Sequence, residues 1–287
     1  MKNLLKKDAF VLFFLWFMLI YGPVLDIGLG PLADTSVGIA AALTVRLAWV
    51  GVRRFDVLML ACLAGVFVLA CLTWILADQG RHDFAARALL RPFRAAIVYL
   101  GVVSLSEYTI SRLKGITGNT DDAVFTGLFI IYLAVVVHGL IMAGQFLSPG
   151  FRNSIYSLTF AKYQLDFYQQ FRMAGLSGGG GAQVSAVQGM GSLIGVYLFL
   201  RGKTRATVIL TLPILLVSIV LSGRTGLLVV TFSFFFGLFM FMIGGRRRFS
   251  ATQIAATVLV TATMIFFGSQ VASLFVGNDH FEIAFKI

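Results

Sequence analysis

The chain has 287 residues, of which 59% are hydrophobic and only 12% charged, and it carries a formal net charge of +11. Such a composition excludes an ordinary soluble domain and fits a polytopic membrane protein. The positive charge sits in short loops such as Arg246-Arg247-Arg248 that leave no room for a nucleic-acid-binding fold, so it is a topology signal and no nucleic-acid partner is expected.

Apolar runs of about 17 to 25 residues mark about nine transmembrane helices, at roughly 9 to 28, 36 to 52, 56 to 77, 92 to 108, 124 to 147, 184 to 200, 207 to 222, 226 to 243 and 252 to 275. The runs are continuous and do not alternate, so they are helices and not barrel strands. The expected fold class is an all-α polytopic membrane protein, a single integral domain over 1 to 287. The first run is followed by more membrane and has no small-residue cleavage site, so it is read as an anchor. With the N-terminus cytoplasmic, the inner segments hold 13 lysines and arginines and the outer ones 9, as the positive-inside rule asks. Cys62 and Cys71 share one predicted helix, about 13 Å apart along its axis, and neither pair with each other nor match a metal-ligand spacing.

The outer arginines fall into three groups. Arg81, Arg87, Arg91 and Arg94 come first. Positions 87, 91 and 94 share one face if the segment is helical, although Pro92 could instead open the fourth span. Such a cluster suits bidentate phosphate contacts, and it also fits a snorkelling collar at lipid phosphates. The fifth span then carries His138 near its middle, where a functional role and a hydrogen bond to a neighbouring helix are both open.

The longest outer loop, 148 to 183, holds Tyr156, Phe160, Tyr163, Phe167, Tyr168 and Phe171 at roughly helical spacing, as in an amphipathic helix at the interface. Arg172 and the run Ser177-Gly178-Gly179-Gly180-Gly181 follow, just before the sixth span. The glycines suit either anion binding at a helix start or a plain hinge. The third group is the link Ser222-Gly223-Arg224-Thr225-Gly226, a tight turn with Arg224 at the outer mouth. Beyond the ninth span lie Asp279, His280 and Glu282. The segment 276 to 287 is aromatic and acidic and follows the ninth span on the outer side.

Arg172-Met173-Ala174-Gly175-Leu176 after an aromatic-rich loop, a Gly/Gln-rich start to the next span, and Leu221-Ser222-Gly223-Arg224-Thr225-Gly226 about 50 residues later resemble the Wzy-type O-antigen polymerases and the related O-antigen ligases. The resemblance is sharpest from His138 to Gly226. It implies a GT-C-like core in the bacterial inner membrane and a polymerase of undecaprenyl-diphosphate-linked oligosaccharide repeats that transfers glycan to a sugar hydroxyl at the periplasmic face. No cofactor or metal is implied. Such polymerases continue into a large periplasmic loop and further spans, so the resemblance makes residues 276 to 287 the expected start of that loop in a fragment, a truncated reading frame or a short homologue. Arg172 and Arg224, then Arg91 and Arg94, become candidate diphosphate clamps by this resemblance. His280 and Glu282, with Asp279 and His82 behind them, are candidate general bases for the acceptor hydroxyl. A chain-length regulator and a flippase are implied partners. The rival readings are a lipid-linked oligosaccharide flippase or other transporter, and a non-catalytic subunit of a polysaccharide assembly complex.

Overall fold

The structure, a computed structural model, describes residues 2–25, 34–50, 54–75, 82–159, 173–176, 181–202, 204–223 and 225–231. Among these the regular elements are all helices: α1 (Lys2–Tyr21), α2 (Thr35–Val50), α3 (Arg54–Ile75), α4 (His82–Thr117), α5 (Thr120–Leu147), α6 (Pro149–Leu158), α7 (Gly181–Arg201) and α8 (Arg205–Ser222). A further helical run occupies 225–231. Among the described residues three helices are long and apolar enough to cross a membrane: Pro92–Thr117 within α4, Thr120–Leu147 and Arg205–Ser222. Thr35–Leu47 and Val57–Leu69 are shorter apolar helices.

Helices therefore underlie the first seven apolar runs, with two revisions to the expected boundaries. The first ends at Tyr21 and not near 28. Pro23 brings no N–H donor, and its carbonyl turns instead to Thr35, accepting from the amide at 3.3 Å and the hydroxyl at 2.9 Å. The fourth runs unbroken through Pro92, which lies inside a 36-residue helix. Positions 87, 91 and 94 thus share one side of a continuous helix. The eighth run opens with residues 225–231, and the ninth lies outside the described residues.

Turn chemistry reverses the chain between neighbours. Gly118, at φ 73°, closes α4 by donating to Lys114, and Asn119 then caps α5 by accepting from the Asp121 amide at 3.0 Å. Two buried clusters share α1 and α5. One gathers Phe17, Tyr132, Val135, Leu198 and Leu215 from α1, α5, α7 and α8. The other gathers Leu12, Trp16, Ala40, Leu105 and Ile130 from α1, α2, α4 and α5.

Hydrocarbon gives helices little reason to associate through apolar contact alone, so polar bonds and small residues do the joining. Trp16 Nε1 donates to Thr109 Oγ1 at 3.1 Å, and the Tyr132 and Thr211 hydroxyls meet at 2.7 Å. Arg46, inside the second predicted span, gives its guanidinium to the Ser104 carbonyl at 3.0 Å and lies over the Tyr108 ring. By contrast α3 shows Val57, Leu58, Val66, Leu69 and Ile75 outward, a surface suited to lipid contact.

The alternation of directions places the ends of α1, α5 and α8 and the starts of α2, α4 and α7 at one end of the bundle. Direct contacts agree: Val24 bridges Asp34, Leu25 bridges Thr159, and Met173 bonds to Leu221.

Candidate functional site

At that end, residues 173–176 form a non-helical strap that enters the bundle. Met173 and Ala174 are fully buried. The depth follows from α5: His138 lies nine residues before Leu147, about 13 Å along the axis at 1.5 Å per residue, and the strap reaches it. Irregular backbone at such depth needs every amide satisfied by protein.

All four strap amides are satisfied from outside the strap. Met173 N donates to the Leu221 carbonyl at 2.8 Å and Ala174 N to the Tyr156 hydroxyl at 3.4 Å. Gly175 N donates to Gln145 Oε1 at 3.1 Å, and Leu176 N donates to His138 Nε2 at 3.2 Å. Gln145 also returns a bond from Nε2 to the Gly175 carbonyl at 2.9 Å. Each such bond contributes a net of about 0.5–1.5 kcal/mol, and losing one inside the bundle leaves an amide unpaired. Gly175 makes the turn, with φ at +64°, and packs so closely on the imidazole that a Cβ there would overlap it.

Beneath the strap lies a polar chain across three helices. The His138 ring stacks on Tyr21 with centroids 3.8 Å apart and planes within 6°. Its Nδ1 is 3.0 Å from the Gln188 amide, which in turn is 3.0 Å from Ser218 Oγ. A nitrogen that accepts the Leu176 amide carries no proton, so the neutral imidazole bears its proton on Nδ1. Gln188 must then turn its oxygen to Nδ1 and its NH₂ to Ser218, whose hydroxyl donates to the Leu215 carbonyl at 2.7 Å. With that orientation each group in the chain has a complementary partner.

The turn at Gly223 is fixed separately by α7. Ser185 Oγ donates to the Gly223 carbonyl at 2.5 Å and accepts from the Gly226 amide at 2.8 Å. One serine thus holds both Gly223 and Gly226. Tyr156, on α6, is buried among apolar neighbours such as Ile155. Burial pushes its phenol above the ordinary tyrosine range, while the Ala174 amide and Arg152 pull the other way.

Of the candidate residues, Arg94 is described in full: its guanidinium pairs with the buried carboxylate of Asp34. The other oxygen of Asp34 accepts from Ser36 N at 3.0 Å, Ser36 Oγ at 2.5 Å and Val37 N at 3.4 Å, capping α2. Asp34→Ala is expected to lower the melting temperature of the detergent-solubilised protein through loss of a cap worth about 0.5–2 kcal/mol. Asp34→Asn should recover most of that loss, because it keeps the cap and gives up only the ion pair.

Arg91 and His82 belong to α4. Arg172, Arg224, Asp279, His280 and Glu282 lie outside the described residues, as do most of the interfacial aromatic positions. What is brought together is their flanks: Met173 directly follows Arg172, Gly223 directly precedes Arg224, and the Met173–Leu221 bond joins the two segments. Among the described residues no group of three or more His, Cys, Asp or Glu side chains is placed to hold a metal ion. Sequence reasoning did not single out Gln145, Gln188, Ser185 or Ser218. The available signal was polar side chains inside apolar helices, with Gln145 seven residues after His138 on the same face. The chain matches no family model, no curated protein and no solved structure.

Proposed function

We propose that the chain is an integral inner-membrane polymerase of undecaprenyl-diphosphate-linked oligosaccharide repeats, acting at the periplasmic face with a GT-C-like core and about nine spans. The observation that carries this reading is the Met173–Leu221 hydrogen bond. It couples the segments next to Arg172 and Arg224, which are about 50 residues apart in sequence. The motif resemblance names these two arginines as clamps for one diphosphate, and a clamp requires them to be neighbours in space.

In the proposed transfer the bond from the donor's anomeric carbon to the lipid diphosphate breaks, and the electron pair leaves with the diphosphate. The acceptor hydroxyl oxygen forms the new glycosidic bond and gives its proton to a base, for which His280 and Glu282 are the candidates. Negative charge grows on the leaving diphosphate, and guanidinium groups in a partly desolvated cleft stabilise it.

The test is a gel of surface polysaccharide and lipid-linked intermediates from the source bacterium with the gene deleted and then restored. Deletion should collapse the ladder to single repeats, and the intact chain but not Arg172→Ala should rebuild it. Long chains left on the lipid carrier would instead identify a ligase. Repeats trapped at the inner face would identify a flippase.

A further inference from the structure

We propose that His138 is a positioning residue: one imidazole indexes both arginine-bearing segments to α5, and so sets the spacing of the residues that flank Arg172 and Arg224. The structural part of this proposal stands on geometry alone. Its consequence for catalysis rests on the glycosyl-transfer reading above.

The ring has two nitrogens and each holds a different segment. Nε2 accepts the amide of Leu176, four residues after Arg172. Nδ1 meets Gln188, which passes the contact to Ser218, six residues before Arg224. Ser218 lies one turn below Ser222, whose hydroxyl donates back to the Ser218 carbonyl at 2.8 Å, so a shift at Ser218 is carried directly to the turn. Simple adhesion between helices would need only the Gln188 and Ser218 contacts. A backbone amide from a loop as the second partner has a different consequence, because it fixes the loop's depth.

Gln145 adds two further bonds to Gly175 from the same face of α5. Two side chains of one helix thus hold three consecutive polar groups of the strap: Gly175 N, Gly175 O and Leu176 N. The flat stack of Tyr21 on the ring keeps the imidazole from tilting. Gly139, next to His138, lies so close to Ser218 that a Cβ there would be 3.3 Å from its hydroxyl, so α5 and α8 have little room to slide.

The test reads distance and activity separately. In a parent with Cys62→Ser and Cys71→Ser, spin labels are placed at Arg172→Cys and Arg224→Cys, and their separation is measured by double electron–electron resonance in nanodiscs. The expected result is a narrow distribution in the parent, a clearly broadened one with His138→Leu or Ser218→Ala, and a narrow one again with His138→Gln, which can still accept at one end and donate at the other.

With both arginines intact, His138→Leu should lower polymer formed per monodisperse protein by about 100-fold, and His138→Gln should restore most of it. If His138→Leu does not yield monodisperse protein, Ser218→Ala decides, since it removes one hydroxyl and leaves the packing. A distribution unchanged in the variant that decides overturns the proposal, even where Arg172→Ala abolishes the ladder. Broadening together with a ladder indifferent to Arg172→Ala upholds the positioning role and removes the glycosyl-transfer reading.

Discussion

Gly175→Ala is expected to lower stability by about 2–5 kcal/mol. Two independent causes add. The left-handed backbone, with φ at +64°, costs a residue with a Cβ about 1–2 kcal/mol. The new methyl would also overlap the imidazole of His138, and such overpacking costs about 1–3 kcal/mol. The ring cannot move aside, because Tyr21 stacks on one face and both nitrogens are engaged. Gly150→Ala is the matched control: the site lies in α6 with open space around it, and the change is expected to be neutral or to stabilise by up to about 1 kcal/mol. Thermal unfolding of the two solubilised variants measures the difference directly. Equal melting temperatures would mean that the strap does not sit against His138.

The second large effect is chemical. Arg172→Ala and Arg224→Ala are each expected to lower turnover by about 10²- to 10³-fold, the usual consequence of removing one preorganised group aimed at developing negative charge. Lysine at either position should recover only part of the loss, because an ammonium keeps the charge but not the two-pronged contact with a diphosphate. Stability should change little, in contrast to Gly175→Ala. Combining the arginine changes should cost less than the product of the two, since in the proposed transfer both act on one leaving group.

Much of the fold was legible because it depends on local composition. Apolar runs located α1 to α5, α7 and α8, whereas α6 lies in the loop after the fifth run. The two motifs around Arg172 and Arg224 also stood out as sequence. The strap did not. The glycine-rich run 177 to 181 that follows it reads equally well as a hinge, and nothing local reveals that the strap amides are taken by Tyr156, Gln145, His138 and the Leu221 carbonyl. These partners lie 18 to 48 residues away in sequence, beyond the reach of any periodicity.

His138 shows the same limit. Its position in an apolar helix left a structural bond and a functional role both open, and only the contact with Leu176 distinguishes a helix-to-helix bond from a hold on a loop. Arg94 was grouped with Arg91 by helical spacing, yet Asp34, 60 positions earlier, engages its guanidinium. That pairing makes Arg94 a tie between the start of α2 and the body of α4 before any ligand arrives.

The central claim, that this chain transfers glycan from a lipid diphosphate through two arginines brought together by the strap, is tested most directly by reconstitution. The purified protein is placed in proteoliposomes with undecaprenyl-diphosphate-linked repeats extracted from the deletion strain, in the presence of EDTA, and both polymer length and released undecaprenyl diphosphate are measured. The expected result is a ladder with a matching release of undecaprenyl diphosphate, both lost in Arg172→Ala and Arg224→Ala. Intact repeats with no diphosphate released, or a ladder indifferent to both substitutions, would contradict it.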